Sequence, residues 1–99
     1  SGLNTVTFSA TPTFDASLGN TQKITLTANV TSSTLSNATA GQFLAFDIIE
    51  DATGAWTFVW PTTVKGADAI TTTANTHNRQ WFYYDGTNAW SLGSMKSGT

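Results

Sequence analysis

The chain has 99 residues, a formal net charge of −2 and no cysteine, and only 10% of it is charged. That length suits one core, so a single β domain over 1–99 is expected, ordered from about residue 4 to 94. Four Lys and Arg in all give no basic footprint for DNA or RNA; no apolar run nears the roughly 20 residues of a membrane span, and without cysteine there is no disulfide framework or Cys-type zinc site.

Threonine makes up about a fifth of the residues, aromatics 12%, and strong helix formers such as Lys, Arg, Glu and Met are scarce. The expected class is all-β. Ser1-Gly2 and Lys96-Ser97-Gly98-Thr99 read as frayed or extraneous ends. Val6, Phe8 and Ala10 alternate with Thr5, Thr7 and Ser9 as a first strand, which Pro12 closes. A short run at Phe14-Asp15 stops at the turn-rich Ser17-Leu18-Gly19-Asn20. Ile24, Leu26, Ala28 and Val30 then face inward, with Lys23, Thr25, Thr27 and Asn29 outward. The polar stretch 31–39 holds one large apolar residue, Leu35, and reads as a loop with one short strand at most.

Residues 41–50 differ from the other strands. Phe43, Leu44, Ala45, Phe46, Ile48 and Ile49 are nearly continuous, so both faces of this strand need cover. A second layer or another subunit would supply it, with Phe43, Ala45 and Ile49 as the oligomer contact. Asp51-Ala52-Thr53-Gly54 turns into Trp56, Phe58 and Trp60, which share an expected buried face, and Pro61 ends that strand. After the turn Lys65-Gly66-Ala67-Asp68 comes a short run at Ile70 and Thr72. A hairpin is expected to pair His77–Tyr84 with Ala89–Leu92 across Asp85-Gly86-Thr87-Asn88. Seven to eight short strands at intervals of 8–12 residues suggest an antiparallel β-sandwich or a small jelly-roll-like barrel.

No catalytic constellation stands out. The single histidine, His77, lies in an alternating strand, and there is neither a Gly-x-Ser-x-Gly elbow nor a phosphate-cradling glycine loop. A non-enzymatic chain without cofactor or metal is the expectation. Asp47, Glu50 and Asp51 could offer oxygens to a cation, but their spacing matches no calcium loop. Asp47, inside the most apolar strand, needs a partner such as Lys23 or Arg79 if buried. Trp81 and Tyr83 share a face with His77 and Arg79, while Phe82 and Tyr84 share the other with Asn78 and Gln80. One aromatic pair must therefore face outward, which makes Arg79, Trp81 and Tyr83 the candidate binding residues. Trp90 and Leu92 are expected in the core.

Gly41-Gln42 followed by an apolar strand, then Glu50-Asp51-x-x-Gly54-x-x-Thr57-x-x-Trp60-Pro61, then an aromatic strand into Tyr84-Asp85-Gly86-Thr87-x-x-Trp90, resembles β-structured modules of tailed-phage and prophage virion proteins. Such modules occur in tail fibres, appendages and minor structural proteins, and the likeness extends over roughly residues 6 to 94. The turn at Lys65-Gly66-Ala67-Asp68 departs from the family: it is shorter and lacks Trp and Pro, so no receptor-contacting loop is carried over. What the resemblance implies is a structural or adhesive virion module, of tail-fibre, appendage or capsid-decoration type. It would be homotrimeric and non-enzymatic, with other virion proteins and host-surface glycans as partners. Two alternatives stay open: a carbohydrate-binding module of a secreted enzyme, or a segment of a bacterial surface adhesin with Lys23 available for an isopeptide cross-link.

Overall fold

The computed structural model describes residues 2–99; the expectation for Ser1 lies outside them. Nine strands and no helix are present among these residues: β1 Leu3–Val6, β2 Thr13–Asp15, β3 Thr21–Leu26, β4 Thr34–Ser36, β5 Phe43–Glu50, β6 Val64–Lys65, β7 His77–Tyr84, β8 Ala89–Ser91 and β9 Lys96–Gly98. Seven of them form one sheet in the order β1-β3-β5-β7-β8-β6, with β9 also on β7, and β2 and β4 form a second sheet.

The all-β class holds, but the pairing is not that of an antiparallel sandwich or jelly roll. β1–β3, β3–β5, β2–β4 and β6–β8 are parallel, and only the pairs made by β7 are antiparallel. Leu3 lies opposite Thr21 and Thr21 opposite Ala45, so the chain returns over itself after 18 and then 24 residues. A parallel pair needs a crossover of about a dozen residues or more, and here β2 and β4 are the crossovers. The path is a short β-solenoid closed by the β7–β8 hairpin. Alternation and turn residues read alike in a coil and in a hairpin. What separates them is which strand the turn leads to, and distant packing decides that.

The extended segment 56–60 carries no ladder of its own, contrary to the expected strand, yet continues the second layer. Val30 N–H donates to the Thr57 carbonyl at 2.9 Å, Thr57 N–H to Asn29 Oδ1 at 2.9 Å, and Ser33 Oγ to the Val59 carbonyl at 2.6 Å. The run at Ile70–Thr72 is likewise not a strand. It is tied down instead by the buried Asn78, whose side chain bonds the Thr71 N–H and carbonyl and the Ile48 carbonyl. Gln80 fixes Asp68 N–H and the Gly93 carbonyl in the same way, and Gln22 holds the turn at Asp15 and Gly19. Buried amides thus substitute for ladder bonds where a loop meets the sheet, which satisfies backbone groups that burial would otherwise orphan.

The core lies between the layers. Phe14, Ile24, Leu26, Leu44, Phe46, Ile48 and Phe82 have no exposed surface. Phe46 is their hub, meeting Phe14, Trp60 and Phe82 edge to face at centroid distances of 5.1, 5.3 and 5.5 Å, the geometry ring quadrupoles favour. Trp56, Phe58 and Trp60 pack against this core as expected but are only partly buried. The C-terminal end differs from expectation: Lys96–Gly98 pairs with Arg79–His77 as β9. Ser97 Oγ reaches Asn78 Oδ1 at 2.7 Å, so a buried side chain recruits residues whose small polar composition reads as a tail.

Candidate functional site: the outer face of the main sheet

Strand alternation gives β5 and β7 an inner face and an outer one. Leu44, Phe46, Ile48 and Glu50 of β5 and Asn78, Gln80 and Phe82 of β7 point inward and are buried. The outer set is Phe43, Ala45, Asp47 and Ile49 against Tyr83, Trp81, Arg79 and His77, paired in that order across the antiparallel ladder. The two groups named from sequence, Arg79–Trp81–Tyr83 and Phe43–Ala45–Ile49, are therefore cross-strand neighbours on one surface.

Registers to the other strands order this surface into bands. An aromatic band runs Phe43, Tyr83, Trp90 and ends at Lys65. Beside it lie Leu3, Thr21, Ala45 and Trp81, with Leu92 bonded through its N–H to the Trp81 carbonyl at 2.9 Å. The next band is charged: Thr5, Lys23, Asp47, Arg79, Lys96. Thr25, Ile49, His77 and Gly98 form the last.

The apolar part of this face is open. Phe43 and Trp81 are each 54% exposed, Trp90 49%, Leu92 53% and Tyr83 37%. Placing Trp90 and Leu92 in the core is thus incorrect. The hairpin register puts Trp90 opposite Tyr83, and hence on the solvent side. Ala45 and Ile49, by contrast, are only 9% and 8% exposed. Side chains on the flanking strands crowd them, Thr21 and Trp81 beside Ala45 and Thr25 and His77 beside Ile49, so of the expected oligomer contacts only Phe43 is free. Phe43 and Tyr83 rings lie 5.4 Å apart at 58°. Trp81 stands between two concavities, one of about 280 Å³ toward Thr21, Ala45 and Asp47 and one of about 500 Å³ toward Leu92, Ser94 and Lys96.

The charged band is organised around Asp47, which is 8% exposed. Arg79 Nε donates to Asp47 Oδ2 at 3.1 Å, the pairing burial of this carboxylate requires, and His77 Nδ1 lies 3.5 Å from Oδ1. The expected partner is thus Arg79. Its Nη2 also lies 3.4 Å from His77 Nδ1, yet the side chain remains 64% exposed. Asp47 and Glu50 sit on opposite faces of β5 and do not converge on a common ion. Glu50 is buried at 1% exposure; its Oε1 accepts the Trp56 N–H at 3.0 Å while Oε2 has no partner. Burial pushes this carboxyl above its ordinary range, with the neighbouring Asp51 charge adding to the rise.

A recurring local pattern, legible in sequence but missing from the strand-by-strand reading, builds one edge of the face. Asp51-Ala-Thr-Gly-Ala-Trp56 and Asp85-Gly-Thr-Asn-Ala-Trp90 share the form Asp-x-Thr-x-Ala-Trp. In each, one Asp oxygen accepts two backbone N–H groups, from Thr53 and Gly54 or from Thr87 and Asn88. The indole N–H of the Trp then donates to the same carboxylate at 2.9 Å. These bonds hold both carboxyls below the usual range, led by the Gly54 N–H for Asp51 and the Asn88 N–H for Asp85. The second copy fixes the Trp90 ring on the outer face.

No family model, curated protein or solved structure matches the chain.

Proposed function

We propose that this chain is a non-enzymatic structural and attachment module of a phage virion appendage, working through the outer face of its main sheet. The observation that carries the reading is the aromatic band. Phe43, Tyr83 and Trp90 expose large apolar side chains side by side on the strand-rich outer surface. Contiguous apolar exposure of this kind marks a contact surface rather than ordinary solvent-facing sheet. Low charge and abundant threonine support packing against copies of the same chain, because few like charges would meet. The sequence likeness to virion modules supplies the setting, a virion and a homotrimer. The aromatic band is assigned to neighbouring copies, and the charged band is left free about 14 Å away along β5 at strand rise.

Sedimentation equilibrium tests the assembly. The wild type is expected well above the 10.5 kDa of one chain. Phe43→Ser with Trp90→Ser is expected to run as a monomer with an unchanged β spectrum. A wild type that stays monomeric at high micromolar concentration removes the assembly part of the reading.

A further inference from the structure

All four basic residues of the chain lie on this one face: Lys23, Arg79 and Lys96 in the charged band and Lys65 beside Trp90. Asp47 is the only carboxylate within the band, and Arg79 already holds it. The other acids are committed elsewhere. Glu50 is inward, and Asp15, Asp51, Asp68 and Asp85 accept bonds from turn or loop backbone. A chain of net charge −2 therefore carries a locally positive strip, three cations against one carboxylate, directly beside an exposed indole.

The geometry points to an anionic saccharide, a chain of carboxylate-bearing sugars, lying along Lys23–Arg79–Lys96 with one ring against Trp81. Three features fit that ligand class together. The strip crosses β3, β5, β7 and β9, so its ends are separated by three strand spacings, roughly 14 Å. The Arg79 guanidinium, held by Asp47 at Nε and 3.4 Å from His77 Nδ1 at Nη2, is still largely exposed and offers further N–H donors to a carboxylate. The Trp81 ring gives an apolar plane for a sugar's C–H face, with Thr5, Thr21 and Thr25 hydroxyls on the same surface. An acidic peptide strand is disfavoured because it could augment the sheet only at the free edge of β9, beside Lys96 alone, leaving Lys23 and Arg79 out of the contact. An amphipathic helix is disfavoured because cations interrupt the face beside Trp81, leaving no continuous apolar groove.

This inference rests on the outer face being the contact surface, and its test separates the two. Isothermal titration of the full chain with oligogalacturonate, maltooligosaccharide and poly-glutamate gives the comparison. Oligogalacturonate is expected to bind in the millimolar range per site, weakening as ionic strength rises. The neutral sugar is expected to bind about tenfold or more weaker, and poly-glutamate no better than that. Arg79→Gln and Lys96→Gln should each weaken oligogalacturonate several-fold, and Trp81→Ala should remove it with the β spectrum unchanged. Phe43→Ser with Trp90→Ser should leave per-site affinity intact while abolishing assembly. Equal binding of neutral and acidic sugars, poly-glutamate binding as tight as oligogalacturonate, or no oligogalacturonate binding would each overturn the inference. Sedimentation on the same samples shows whether the assembly reading fails with it.

Discussion

The two Asp-x-Thr-x-Ala-Trp turns carry out one local chemistry in two settings. In both, an aspartate folds the chain back and clamps an indole. Yet Trp56 packs against the core, while Trp90 stands on the outer face, about half exposed. The difference comes from what surrounds the turn. Before Asp51 stands Glu50, whose inward carboxylate takes the Trp56 N–H and draws the exit segment over the core. Before Asp85 stands Tyr84, and the exit segment pairs back onto β7 as a hairpin, so alternation turns Trp90 outward. A six-residue pattern fixes the turn; the next ladder fixes which face receives the ring.

Removing each ring separates the roles most strongly. Trp56→Ala should destabilise the fold by about 2–4 kcal/mol, since a partly buried indole leaves both a cavity and lost contacts. Trp90→Ala should change stability by no more than about 1 kcal/mol while weakening self-association. Urea unfolding of the two variants, alongside their sedimentation, checks both. Equal losses of stability would break the distinction.

The acids come next, with opposite signs. Glu50 is raised by burial, so the folded chain favours its protonated form. Its contribution is fully present below the ordinary value near 4.5 and is lost as pH rises through the higher folded value. Glu50→Gln should flatten that alkaline-side decline in unfolding free energy. Asp51 and Asp85 are lowered, so their contributions are present above the ordinary carboxylate value and fade as pH falls through the folded one. Asp51→Asn should therefore blunt acid unfolding, and Asp85→Asn should do so less, because its turn borders the solvent face.

The smallest effect concerns the backbone. Ala55 follows Gly54 at φ 66°, a left-handed conformation that alanine adopts poorly, whereas the second turn places Gly86 at φ 102°. Gly54 cannot carry a side chain, since a Cβ there would meet the Ala74 backbone N at 2.6 Å. Ala55→Gly should raise the unfolding free energy by up to about 1 kcal/mol, measured in urea.

Much of this was readable from residue order, and the rest was not for physical reasons. Alternation located β3 and β7, a nearly continuous apolar run located β5, and the four-residue Asp85–Asn88 loop located the last hairpin. The outward pair Trp81 and Tyr83 followed from aromatics on both faces of one strand. Parallel pairing of β1, β3 and β5 did not follow, because a turn's composition does not reveal whether the chain doubles back or coils. Trp90 was recoverable: opposing Ala89 to Tyr84 across that loop places Trp90 opposite Tyr83. Ala45 and Ile49 were not, because their cover depends on strands that join the sheet from distant parts of the chain.

Four indole N–H resonances give the most direct reading of the central claim, that the outer face is where this chain meets its neighbours. Nitrogen-15 spectra recorded on dilution through the association range should shift Trp90, leaving Trp56 and Trp60 in place. Movement of Trp56 and Trp60, or no concentration dependence at any of the four, would contradict the account.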